Sequence, residues 1–184
     1  GKSGQSLTVM SPAGVGASRV VLMGLGDAGS FDDLAAQNFG ARAYRAVSAT
    51  GDKSAVIAID PVIGAKIKTS EIAANAAYGA LLKSYRFDKY RTKEKPDAKP
   101  SVRALTLVSR DSAEARKAFA PLAKVADGVF FTRNLVSEPA NILYPITLAA
   151  QAKTLSKLGV KIQILDEKQM AKLGMGALLG VAQG

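Results

Sequence analysis

The sequence predicts an α/β protein with a mostly parallel sheet flanked by helices, and three observations point there. Short runs rich in β-branched residues alternate with longer runs whose apolar positions recur every three or four residues, the pattern of successive βαβ units. Glycine, proline and aspartate punctuate the boundaries between those runs. Hydrophobic residues make up 48% of the 184 positions, an ordinary share for a folded domain, and a chain of this length can bury one real core.

Each element has its own local reason. Arg19–Leu25 (RVVLMGL) reads as a buried strand, and Leu7–Met10 is available to extend the sheet. Phe31–Ala49 carries Leu34, Ala35, Phe39, Ala43 and Val47 at helical spacing, with Ser30 or Asp32 as N-cap. Ser54–Ile59 (SAVIAI) is a second strand, stopped by Asp60-Pro61. Thr69–Ser84 is a helix with Ile72, Ala76, Gly79, Ala80 and Lys83 in phase, and Thr69-Ser70-Glu71-Ile72 gives capping chemistry at its start. The polar stretch from Tyr85 to Pro100, broken by Pro96, is a surface loop.

Ser101–Val108 is a third strand, and Ser112–Ser137 one long helical run in which Pro121 predicts a kink or a junction. After Pro139 a new unit begins. Its expected elements are a helix over Pro145–Leu158, a strand over Val160–Leu165, a short helix over Glu167–Leu173 and a further strand from Leu178 to Val181. No window approaches the roughly 18 continuous apolar residues that span a bilayer.

Composition excludes several chemistries within these residues. With no cysteine there is no disulfide and no thiolate metal site, and with no histidine there is no Ser-His-Asp triad or imidazole base. Any chemistry would rest on carboxylates, lysines, tyrosines or hydroxyls. Lysine and arginine total 25 against 15 acidic residues, a formal charge of +10, which would attract nucleic acid or acidic surfaces.

Four motifs deserve weighing. Gly24-Leu25-Gly26-Asp27-Ala28-Gly29 is a literal G-x-G-x-x-G after a strand, but Asp27 places a carboxylate where a pyrophosphate would lie, so a tight strand-to-helix turn is the better reading. Lys83, Arg86, Lys89, Arg91, Lys93, Lys95 and Lys99 are interleaved with Tyr85, Phe87 and Tyr90. Cations mixed with aromatics can track phosphates and stack bases, although Asp88, Glu94 and Asp97 dilute the charge. The glycine-rich Gly174–Gly184 suits close packing better than phosphate binding, having no basic residue after Lys172. Thr132–Asn141 reads as an interdomain hinge ended by Pro139, with Asn141 able to cap the next element.

The last two segments carry a resemblance. Arg133-Asn134-Leu135-Val136-Ser137-Glu138-Pro139-Ala140-Asn141 resembles the R-D/N-L-V-N-E-P-A-N segment of the leucyl (cytosol) aminopeptidase family. Asp166–Met170, Leu173–Gly176 and Gly180–Gly184 are similar to the segment that follows it there, with Ala182 in place of the usual glycine and Ser137 in place of asparagine. Arg19–Gly26, Tyr78 with Leu81-Leu82, and Tyr85–Tyr90 fit the family more loosely.

The resemblance implies a cytoplasmic two-metal exopeptidase that removes amino-terminal residues, leucine preferred, and assembles as a homo-hexamer. It implies a macro-like amino-terminal domain over residues 1–111, a helical linker over 112–138 and the start of the catalytic domain over 139–184. Two divalent ions, manganese or zinc, would be held by residues expected beyond Gly184, and the first strands of the family are expected before Gly1. No catalytic, metal-binding or cofactor-binding residue is therefore assigned within the chain, and the fragment by itself is expected to be inactive and to bind no metal. Peptides are the expected partners through the catalytic domain, with no membrane. DNA contact through Lys83–Lys99 is the alternative, and an ADP-ribose-type ligand follows from the macro-like fold by analogy alone.

Overall fold

The computed structural model describes residues 1–95 and 98–183. Pro96, Asp97 and Gly184, which enter the loop, charge and glycine-rich readings above, lie outside the described residues. The chain divides into two compact units, Gly1–Asn134 and Leu135–Gly184.

In the first unit the element order is β1 (Ser6–Met10), β2 (Arg19–Met23), α1 (Asp33–Val47), β3 (Ser54–Ile59), α2 (Thr69–Ser84), β4 (Ala104–Ser109) and α3 (Ser112–Ser137), whose last turn runs into the second unit. The βαβ expectation holds for β3, α2 and β4: β3 and β4 pair in parallel, with Ser54 opposite Ala104 and Ile59 opposite Ser109. The expectation of a mostly parallel sheet does not extend to β2. That strand pairs antiparallel with β1, Ser6 opposite Met23 and Met10 opposite Arg19, so the described strands form two separate two-stranded sheets. A short connection permits only an antiparallel return, since a parallel one needs a crossover of a dozen or more residues. Nor is β2 fully buried, because Leu22 is 57% exposed.

Period-two alternation sets which residues of β3 and β4 meet the core. Ile57 and Ile59 are buried while Val56 and Ala58 face out, and Leu105 and Leu107 pack on the same cluster while Val108 is exposed. Phe31 and Ile72 are the largest fully buried side chains, and Ala36, Ala43, Ala73, Ala76 and Ala115 complete the cluster. On α1 the buried stripe is Ala36, Gly40 and Ala43, and Leu34 is exposed. Of the positions read in helical phase, Ala43 is buried and Ala35 and Phe39 pack on the cluster, so Leu34 alone of them turns fully to the exposed side.

The two helices touch backbone to backbone. A Cβ on Gly40 would fall 1.8 Å from the Ala76 carbonyl oxygen, and one on Gly79 would fall 1.9 Å from that of Gln37. Around this crossing, Asn75, itself buried, donates to Asp33 Oδ1 at 2.9 Å and to the Glu71 carbonyl at 3.1 Å. It accepts from Gln37 Nε2 at 2.8 Å. A buried amide with its partners supplied avoids the desolvation penalty of an unsatisfied one.

The helix ends follow their sequence signals. Asp32 caps α1 by accepting from the Ala35 amide at 2.8 Å, and Glu71 reaches back to the Lys68 amide at 2.8 Å at the start of α2. Pro121 does not divide α3, which runs unbroken over 26 residues with the proline on its exposed side.

A polar knot ties the start of β2 to the α1–β3 connection. Arg19 Nε lies 2.9 Å from Asp52 Oδ2, Ser18 Oγ donates to Asp52 Oδ1 at 2.9 Å, and the Thr50 hydroxyl lies 2.8 Å from Oδ2. The Thr50 hydroxyl foremost, then that of Ser18 and the charge of Arg19, hold the Asp52 carboxyl below its ordinary value against the opposing effect of burial.

The second unit holds α4 (Pro145–Thr154), α5 (Glu167–Lys172) and α6 (Gly176–Val181), with a 3-10 turn over Leu155–Leu158 completing the helix expected to Leu158. Two expectations fail here. Val160–Leu165 is not a strand, because none of the described residues pairs with it and a strand exists only through a ladder partner. The strand from Leu178 is a helix instead, closed by Leu179 N to Met175 O at 3.2 Å and Ala182 N to Leu178 O at 3.3 Å. Asn141 does not cap α4: the Tyr144 amide at its start donates to Thr147 Oγ1 at 2.9 Å. Asp166 and Gln169 do form a reciprocal capping pair at 2.8 and 3.0 Å, starting α5.

Two stability outcomes follow. Gly40→Ala and Gly79→Ala each lower the unfolding free energy by about 3 kcal/mol or more, since the obstacle is backbone. Gly128→Ala, with nothing near the added Cβ inside α3, raises it by about 0.5–1 kcal/mol; denaturant midpoints measure both. Because the folded pKa of Asp52 lies below the unfolded one, its contribution is complete above the unfolded carboxylate range and lost as pH falls below about 4. Asp52→Asn is accordingly less stable than the parent at pH 7, and the melting temperatures of the two approach each other as pH falls through the carboxylate range.

Candidate functional site

The segment with the densest cationic and aromatic content, Lys83 to Lys99, follows α2 directly. α2 stops at Tyr85, where the backbone turns to φ −57 and ψ 132. Arg86 then organises the loop from inside. Its Nε donates to both Asp88 carboxylate oxygens at 3.1 and 3.2 Å, one terminal nitrogen donates to the Ala98 carbonyl at 3.3 Å, and the other to Glu94 Oε1. Arg91 shares that Glu94 oxygen at 3.6 Å. The Arg86 guanidinium, hydrogen-bonded foremost to Glu94 and then to Asp88, is held above its ordinary pKa and is charged at all working pH.

Of the residues singled out for nucleic-acid contact, Arg86 is therefore committed to the loop's own acids, and Arg91 shares in the same pairing. Lys83, Lys89, Arg91, Lys93, Lys95 and Lys99 are exposed. Lys89 Nζ sits 5.3 Å from the Tyr90 ring centre, and Phe87 meets that ring edge-on at 5.8 Å. The aromatics thus pack with each other and with a lysine. A shallow depression of 570 Å³ lies along Tyr90, Arg91, Lys93, Glu94 and Lys95. Glu94 places a carboxylate in its wall, an electrostatic obstacle to a polyanion.

The glycine loop is filled by the chain itself. Gly24 N donates to the Gln5 carbonyl at 2.8 Å, Gly26 N to the Gly1 carbonyl at 3.2 Å, and Gly4 N to the Gly24 carbonyl at 3.2 Å. A Cβ on Gly24 would meet the Lys2 carbonyl at 2.3 Å, and Gly26 holds φ at +88°. These glycines admit the amino-terminal backbone, and their amides are spent on it, which accounts for the motif without a nucleotide.

Sequence reasoning did not foresee the contacts at the start of the hinge motif. Arg133 donates to the Leu82 carbonyl at 2.8 Å and lies 5.4 Å from the Tyr85 ring centre, while the Tyr85 hydroxyl donates to Asn134 Oδ1 at 3.0 Å. Only the coincidence of Tyr85 at a helix stop and Arg133 at a helix end hinted at the pairing. In the second unit the α4 helix borders an apolar depression of 500 Å³ lined by Leu143, Tyr144, Pro145, Leu148, Ala149 and Ala152.

Among the described residues, no three or more acids, histidines or cysteines converge as metal ligands would. The described side chains do not fit a divalent metal pair, and no catalytic step is derived from them. No helix among the described residues is long and apolar enough to cross a membrane.

Comparison with known proteins agrees with the resemblance. The "Cytosol aminopeptidase family, N-terminal domain" matches residues 1–94, and the "Cytosol aminopeptidase family, catalytic domain" matches residues 130–184. A probable cytosol aminopeptidase of Caulobacter vibrioides is 48% identical over 184 residues, covering 100% of this chain and 36% of the relative. One from Afipia carboxidovorans is 45% identical with the same coverage. This chain therefore spans about a third of the length of such relatives. Among solved structures, a mutant of tomato leucine aminopeptidase superposes with a TM-score of 0.75 at 27% identity, over 95% of this chain and 34% of that one. The bottromycin maturation enzyme BotP in complex with Mn gives 0.72 at 25% identity, over 94% of this chain and 35% of that one. Two family matches in the family's own order, with relatives above 40% identity along the whole chain, establish that this chain belongs to the cytosol aminopeptidase family.

Proposed function

We infer that this chain is the amino-terminal domain, joining helix and first catalytic-domain elements of a metal-dependent aminopeptidase that removes amino-terminal residues, leucine preferred, from peptides. The observation that supports this reading most is the paired match, amino-terminal domain over 1–94 and catalytic domain over 130–184, in a chain about a third as long as its relatives. In this reading residues 1–111 form a macro-like domain with a role in regulation or oligomerisation, 112–138 the linker and 139–184 the opening of the catalytic domain. The relatives' name favours a cytoplasmic location, and the manganese complex of BotP is consistent with a pair of manganese or zinc ions.

In this reading a pair of divalent ions would activate water and polarise the scissile carbonyl, and no cluster of ligands for them converges among the described residues. What the present residues contribute is placement. The first unit supplies a rigid α1–α2 pair on the β3–β4 sheet, and α3 leads from it toward the catalytic segment. A homo-hexamer is the assembly that accompanies this reading.

The test is direct. This chain, given a leucyl-amide substrate and added manganese, shows no turnover above blank, whereas a polypeptide extended to the relatives' full length hydrolyses it. Turnover by the 184 residues alone would overturn the division of labour, and inactivity of the extended protein with manganese or zinc would overturn the peptidase reading.

A further inference from the structure

One turn of α3 grips a single ring at the point where α2 ends. Phe130 meets the Tyr85 ring at 5.3 Å between centroids, tilted by 42°. Arg133 presents its guanidinium to the same ring at 5.4 Å and donates to the Leu82 carbonyl at 2.8 Å. Asn134 accepts the Tyr85 hydroxyl at 3.0 Å. The spacing explains the convergence, since positions three and four apart share a helix face.

Each contact has a separate physical basis. Leu82 is among the last four residues of α2, whose carbonyls have no partner inside the helix and where a cation is favoured by the helix dipole. The guanidinium over a tyrosine ring adds a cation–π attraction, and the Phe130–Tyr85 pair lies within the preferred range for aromatic contacts. The clasp also sits at a telling place. Arg133 and Asn134 are the last two residues of the first unit. The stripe that holds α3 upstream offers mainly small side chains, Ala115 and Ala126 being its buried members.

We propose that Tyr85, Arg133 and Asn134 form a positioning clasp that immobilises the carboxy-terminal turns of α3 and so fixes the point at which the chain leaves the first unit. Arg133 and Tyr85 act as positioning residues, with no part in bond-making. The inference stands whether or not the peptidase reading does, because it concerns contacts within the first unit alone.

Hydrogen exchange of the intact protein tests it, read for amides 130–137 beside the core amides of β3 and α2. In Arg133→Ala, exchange at 130–137 rises on the order of five- to tenfold, while β3 and α2 keep the parent rates. Arg133→Lys, which can still donate to the Leu82 carbonyl but lacks the planar fork, falls between parent and alanine variant. Tyr85→Phe, which loses only the hydroxyl, raises exchange at 130–137 by about two- to threefold and covers the case in which Arg133→Ala fails to fold. Unchanged exchange at 130–137, a rise shared equally by β3 and α2, or a lysine variant no better than alanine would each sink the proposal.

Discussion

Everything in the first unit is arranged around the crossing of α1 and α2 at Gly40 and Gly79. With no side chain at either position, the carbonyl of Ala76 fills the space a Cβ on Gly40 would take, and that of Gln37 the space of one on Gly79. Such closeness leaves no room for water, so the polar groups beside it must satisfy one another. Asn75 does this, bonding to Asp33, Gln37 and the Glu71 carbonyl at once. Contact between small residues gains stability through many short dispersion contacts instead of large side-chain burial. That suits a core in which, among the described residues, Phe31 and Ile72 are the largest fully buried side chains and alanines make up most of the rest.

From that pair the rest follows in sequence. The α1–α2 face carries Ile57 and Ile59 of β3, and α2 reaches β4, so the parallel ladder is positioned by the helix that connects its strands. The β1–β2 ribbon is attached through Met23 and Leu25 to the same cluster and through the Asp52 knot to the α1–β3 connection. At the far end of α2, Tyr85 hands over to two structures at once. Its ring is gripped by α3, and the next residue, Arg86, gathers Asp88 and Glu94 into the loop. The cationic appearance of that loop is thus partly internal neutralisation, which composition cannot distinguish from an open phosphate-binding face.

Family membership and local chemistry bear on different questions. The amino-terminal and catalytic matches identify the lineage of the chain, while the described residues show no converging metal ligands. Residues 1–134 hold a glycine-mediated helix pair, a short parallel ladder and most of a long helix whose Arg133 and Asn134 meet the end of α2.

Local signals were legible wherever a residue acts on its own backbone. The bounds of β3, α2 and α3, Asp32 as one of two candidate caps beside Ser30, and the family segment around Arg133 could all be read from the sequence, because capping, period and motif are short-range properties. Pairing was legible only where a crossover helix joins the two strands, as in β3, α2 and β4. Val160–Leu165 has strand-forming residues yet no ladder, and Leu178–Val181 closes into a helix, because strand formation depends on a partner that lies elsewhere in the chain or outside it. Nor could the glycines of the Gly24–Gly29 loop announce that the chain's own amino terminus would occupy it, or Gly40 that it would meet Ala76. By itself the sequence determined the elements, their caps and the family. Only the tertiary structure decided how the other strands pair, which glycines are close contacts and which arginines are already engaged, because each depends on atoms far apart along the chain.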